Sequence, residues 1–222
     1  MRRLFLTAAL AALGTGVWAQ ATGTPQSMSP EQNYYRGRQL EATAGMAAAS
    51  PHYLEAVRVS NDQIARGTAT GNTYVFLTRS LRRLERHSEV VDLGRQGMRA
   101  FPTEYRILEA MGQSFFFLGN YAQSLAHMER YASAQPNGES ISVAYFFIGE
   151  IFRLTNRFHR ADMAYTTAMF HEPNMDLWWF RLGEVRERVG DREPAMEAYR
   201  RAVALNPAHG GYRQALARLQ AE

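Results

Sequence analysis

The spacing of four prolines constrains this chain more than any other feature. Pro102, Pro136, Pro173 and Pro207 follow one another at intervals of 34, 37 and 34 residues. Proline has no amide hydrogen to donate and disfavours helical geometry in the residue before it, so each is expected to close a helix. A near-constant period of this length marks a stacked helical repeat: one hairpin cannot bury its own apolar face, and stability comes from its neighbours.

With the prolines setting the register, the last unit places Trp179, Leu182 and Gly183 at the spacing W-x2-L-G, followed by Ala195, Tyr199, Ala202 and Pro207. The unit before it fills the same slots with Tyr145, Ile148, Gly149, Phe152, Ala161, Tyr165, Ala168 and Pro173. An earlier unit supplies Leu108, Met111, Gly112, Phe115, Gly119, Tyr121, Ser124 and Pro136. Before that come Tyr74, Leu77, Leu81, Val90 and Pro102, with Thr78 in the glycine slot, where looser packing is expected. Glycine and alanine in these slots let helices approach closely while the large residues fill the gaps.

This pattern resembles the tetratricopeptide repeat (TPR) over roughly residues 37–209. The resemblance implies an all-α fold, a right-handed superhelical solenoid of about five helical hairpins with a C-terminal capping helix. Within a domain spanning 31–222, the register gives repeats at 71–104, 105–138, 142–175 and 176–209, and a cap at 210–222. A degenerate repeat is expected at 37–70, with Leu40, Ala44, Ala47, Tyr53 and Ala56 in place and its turn at Ser50, Pro51 and His52.

The N-terminus has the form of a secretory signal. Arg2 and Arg3 precede an apolar run from Leu4 to Leu13, then Gly14, Gly16 and the small pair Val17 and Ala19. A span of about 20 residues is needed to cross a bilayer, so this run is too short to anchor the chain. The expectation is a signal peptide at 1–19 cleaved after Ala19, a linker at 20–30 rich in Thr, Ser, Gln and Pro, and an exported bacterial protein that is periplasmic or secreted, with no membrane span in the mature chain.

Composition removes several chemistries. The absence of cysteine excludes disulfides, thiolate metal sites, a cysteine nucleophile and a lipid-modified cysteine. The formal charge of +4 includes Arg2 and Arg3; the +2 left without them is too mild for a nucleic-acid footprint. All 25 basic residues are arginine. The six histidines include no pair at metal-ligand spacing, and no G-x-S-x-G, phosphate-binding loop or dinucleotide fingerprint occurs. The reading is therefore non-enzymatic, with no cofactor and no metal.

The resemblance further implies that the stripe opposite the packing residues of each first helix lines a concave ligand groove. In the last unit that stripe holds Leu177, Phe180, Glu184, Glu187 and Arg188. Carried to the other units it picks out Asn72, Val75, Arg79, Arg82 and Arg83; then Arg106, Glu109, Gln113, Phe116 and Phe117; then Val143, Phe146, Glu150, Arg153 and Leu154. The expected groove runs from an arginine-rich end through phenylalanines to glutamates. It suits a protein or peptide partner with an acidic end and apolar anchors. Plainer readings stay open: the arginines as a solvated face, Phe116, Phe117 and Phe146 as core, and Glu150 with Arg153 and Glu184 with Arg188 as intrahelical pairs. So do two other functions, an organic-anion-binding transport subunit held by Arg79, Arg82, Arg83 and Arg106, and a homo-oligomeric scaffold burying exposed phenylalanines.

Overall fold

The structure is a computed structural model and describes residues 28–221. The signal peptide, its cleavage point and most of the linker lie outside the described residues. Among those described there are eleven helices and no strand. They are α1 (Pro30–Ala44), α2 (Met46–Ala65), α3 (Gly71–Arg83), α4 (His87–Ala100), α5 (Arg106–Phe117), α6 (Tyr121–Ala134), α7 (Ile141–Leu154), α8 (Phe158–His171), α9 (Asp176–Val189), α10 (Arg192–Leu205) and α11 (Gly210–Ala221). The described residues divide within α6 into two compact units, the first ending at His127 and the second beginning at Met128. The fold is all-α and TPR-like, and each unit is a stack of helical hairpins.

The first unit begins earlier than the repeat register places it. Ser29 and Gln32 form a reciprocal capping box, and Pro30 takes the first helical position, where its missing amide hydrogen costs nothing. Met28 is buried and accepts a hydrogen bond from the Asn33 side chain at 3.1 Å, so the chain is folded from the last residues assigned to the linker. The first turn is at Gly45, where φ is +82° and open space surrounds the missing Cβ, and not at Ser50, Pro51 and His52. Pro51 lies inside α2. Pro51 stands in the second turn of the helix, where it forgoes one helical hydrogen bond, and the Ser50 hydroxyl beside it donates to the Met46 carbonyl at 2.8 Å.

A Gly–Tyr pair recurs 16 residues apart and holds three hairpins closed. A Cβ on Gly37 would stand 2.6 Å from the Tyr53 ring, one on Gly149 2.6 Å from Tyr165, and one on Gly183 2.5 Å from Tyr199. The α3–α4 hairpin departs from this rule. Thr78 is buried in the glycine slot with its hydroxyl returned to the carbonyls of Tyr74 and Val75, and Gly94 stands 16 residues on, where the others carry tyrosine. Bulk has changed sides, so the slot is filled and not loose. Leu77, Leu81, Val90, Ile107 and Met111 complete the core around it.

In the second unit, Trp178 is the fully buried indole, stacked on Phe146 at 4.9 Å and 14°. Trp179, which the repeat register takes as the packing residue, is only half-buried and donates its indole N–H to the Pro173 carbonyl at 2.7 Å. Leu219 of α11 packs with Ala195, Met196 and Tyr199, with Ala215 and Leu216 alongside, closing the apolar end of the last hairpin.

Candidate functional site

In the first unit, α3 packs against both α1 and α5. This brings together side chains that helical offsets alone assign to separate hairpins. Arg83 forms a bidentate ion pair with Glu41 of α1, and the Tyr53 hydroxyl donates to the same carboxylate at 2.7 Å. Arg82 donates to Gln113 of α5 at 3.0 Å, and the Gln113 amide in turn donates to Glu109. Arg106 bridges Glu104 and Asn72 at 2.7 and 2.6 Å. Arg38 donates to the Tyr34 hydroxyl at 3.3 Å.

Positive charge dominates this face. Arg38, Arg79, Arg82, Arg83 and Arg106 are set against the carboxylates of Glu41, Glu104 and Glu109. The Tyr34 phenol reports the imbalance. Burial raises its pKa, but the charges of Arg38, Arg82 and Arg79 outweigh that and hold it below the ordinary value. The Nε of Arg82 is buried with no acceptor, a donor left over after the protein's own pairs are made. Beside it His87 stacks on Phe117 at 4.9 Å, its pKa lowered by burial and by the Arg82 charge.

Several predicted groove residues are placed differently. Arg79 is 2% exposed and Gln113 5%, so both support the face from inside and neither presents a contact surface. The arginine stripe is not a solvated face either, for Arg83 keeps only 19% of its side chain exposed. Arg86, at 40%, pairs locally with Glu89. Phe117 is exposed and Phe116 half-buried, with the two rings edge to face at 5.7 Å.

The glutamate end is corrected more strongly. Phe146 is 3% exposed and belongs to the core beneath Trp178. Glu150 is buried among Tyr165, Arg153 and Arg181, the Arg153 pair being the one its spacing implies. Phe180 is half-buried between Tyr199 and Tyr212. Glu187 accepts from both Tyr199 and Arg218 at 2.8 Å. Glu184 pairs with Arg181 at 2.6 Å instead of with Arg188. These carboxylates are already engaged by the protein itself.

Tyr34, Arg38 and Glu41 were missed because the first hairpin was set in the wrong register. Counting from Gly37 as from Gly183 finds them, since Tyr34, Arg38 and Glu41 stand where Phe180, Glu184 and Glu187 stand in the last hairpin. The signal was the 16-residue spacing from Gly37 to Tyr53. Among the described residues no three His, Asp or Glu side chains converge as a metal site, and no helix is long and apolar enough to cross a membrane.

Residues 175–219 match the family profile described as tetratricopeptide repeat. The profile match places one such repeat in the last hairpin, and the fold as a whole is an all-α, TPR-like solenoid. No curated protein sequence matches the chain. Similar solved structures include YrrB, described as a TPR protein with an unusual peptide-binding site, at 16% identity over 82% of this chain and 89% of that one, with a TM-score of 0.56. TTC0263, a thermophilic TPR protein of Thermus thermophilus, is 15% identical over 87% of this chain and 100% of its own, with a TM-score of 0.61. MamA is 13% identical over 77% and 94%, with a TM-score of 0.62. At these identities the likeness is one of fold.

Proposed function

We propose that this chain is a non-catalytic adaptor of the bacterial envelope that holds an acidic protein segment on the α1–α3–α5 face of its first unit. The observation that carries the reading is the excess of guanidinium over carboxylate on that face, with the buried Arg82 Nε lacking an acceptor. A carboxylate, from an acidic side chain or a free C-terminus, supplies the missing counter-charge at the partly exposed Arg38 and Arg82 side chains. Phe117, exposed at the edge of the face, offers the apolar contact that anchors a peptide. The fold is compatible with this role, and YrrB is described as having a peptide-binding site. Export is supported by the basic pair and apolar run at Arg2–Leu13 followed by Val17 and Ala19.

Site-specific photocrosslinking tests the reading. A photoreactive residue at Phe117 is expected to crosslink acid-rich segments from an envelope extract, and one at Phe170, which is 85% exposed on α8, is not. Equal labelling from both positions, or adducts without acidic residues, would contradict the proposal. Saturable binding of a small dicarboxylate with no protein adduct would instead favour the organic-anion alternative.

A further inference from the structure

Within the second unit, Asn156, Arg157, Phe158, His159, Arg160, Arg188 and Val189 line an open recess of about 430 Å³. Three guanidiniums and no carboxylate border it. Elsewhere in this unit Arg153, Arg181, Arg186, Arg200, Arg201 and Arg218 each end on a carboxylate. Among the described residues, Arg157, Arg160 and Arg188 have no such partner. Arg188 is left without one because Glu184, the carboxylate spaced to meet it, turns to Arg181.

The recess is also partly preorganised. The Arg157 and Arg160 guanidiniums lie over the Phe152 ring, 6.0 and 5.7 Å from its centroid, so an aromatic surface and not an acid fixes both. Asn156 turns the chain at φ +57°, and α8 then starts without a side-chain cap. The first amide of α8 with a backbone acceptor is Ala161, which leaves the amides of Phe158, His159 and Arg160 pointing from the helix end on the same border.

We infer that this recess binds a phosphoryl or pyrophosphoryl group, at a site separate from the peptide face of the first unit. Three guanidinium forks without counter-charge outnumber what one carboxylate can accept. A tetrahedral, multiply charged oxyanion presents oxygens to all three and to the amides at the helix start. A soluble phosphate and a lipid headgroup both carry such a group, and the chemistry recognised is the same.

Calorimetric titration of the full chain with inorganic pyrophosphate tests the inference. Saturable binding is expected, weakened at least tenfold in the Arg157→Gln/Arg160→Gln/Arg188→Gln variant and unchanged in Arg200→Gln/Arg201→Gln, where the guanidiniums end on Glu197. Vesicles of phosphatidylglycerol in phosphatidylcholine form the second arm. Arginine-dependent vesicle binding assigns the phosphate to a lipid, and pyrophosphate binding without it assigns the phosphate to a soluble ligand. Circular dichroism melts show whether each variant folds. The inference is overturned if pyrophosphate does not saturate, if the folded triple variant binds as the native chain does, or if binding is lost in Arg38→Gln/Arg82→Gln and kept in the triple variant.

Discussion

Tyr199 lays its ring across Gly183, 2.5 Å from where a Cβ would stand, and donates its hydroxyl to Glu187 at 2.8 Å. The same device closes the hairpin at Gly149 and Tyr165, where the hydroxyl meets Glu150. One tyrosine thus ties the packing of a hairpin to a carboxylate on the stripe that the repeat resemblance assigns to ligand.

Gly183→Ala is expected to destabilise the protein. Alanine gains about 1 kcal/mol of helix propensity over glycine, but overpacking against a fixed ring costs about 1–3 kcal/mol. The clash wins, with a net loss of about 1 kcal/mol in urea unfolding. Gly210→Ala, at the start of α11 with nothing within 4 Å of the new methyl, should change stability by less than about 0.5 kcal/mol.

Glu41→Gln removes the charge that holds Arg83 and the acceptor that Tyr53 uses. Breaking a buried pair costs about 3–5 kcal/mol, but a fifth of both side chains here remains exposed, so a loss of about 2 kcal/mol is expected. Chemical denaturation measures it. A loss below about 0.5 kcal/mol would show that the contact is an ordinary surface pair.

Stability should fall in mild acid through two histidines of the first unit. Burial and the Arg36 charge lower the His52 pKa, and burial and the Arg82 charge lower that of His87. The unfolded chain therefore takes up protons first as the pH drops through about 6.5, while the folded imidazoles stay neutral. Stability from this source is present above that pH and is lost as the pH falls through it towards the lower folded values. Melting temperatures measured between about pH 8 and 5 should decline less steeply in His52→Gln/His87→Gln.

Phe146 and Phe117 separate core from contact. Phe146→Ala, beneath Trp178, should cost about 3–5 kcal/mol, whereas Phe117→Ala, 47% exposed, should cost under about 1 kcal/mol. Denaturant titration of the two variants checks the difference, and Phe117→Ala alone should weaken peptide capture while leaving the fold intact.

The fold class was legible because proline period and small-residue slots each report local geometry. The first hairpin was not, because the 34-residue step counted back from later repeats assumes helices of equal length, and α2 runs 20 residues where α4 runs 14. The site was half legible. Helical offsets found Arg82 and Arg83, but burial depends on which neighbour covers a stripe, and periodicity carries no record of it. Hence Arg79 and Gln113 were assigned to the groove surface, and Phe146 stayed open between groove and core. The choice of Arg181 over Arg188 by Glu184 was equally invisible, since both are within reach on one helix.

The most direct test of the central claim is a fluorescence titration of the full chain with an acidic, phenylalanine-containing dodecapeptide bearing a free C-terminus, beside its counterpart with Asn and Gln for every Asp and Glu. The variant Arg38→Gln/Arg82→Gln keeps the Arg83–Glu41 pair and removes two of the uncompensated charges. The account predicts saturable binding of the acidic peptide, at least tenfold tighter than its neutral counterpart and reduced tenfold or more in the variant. Equal affinity for both peptides, or binding undiminished in the folded variant, would contradict it.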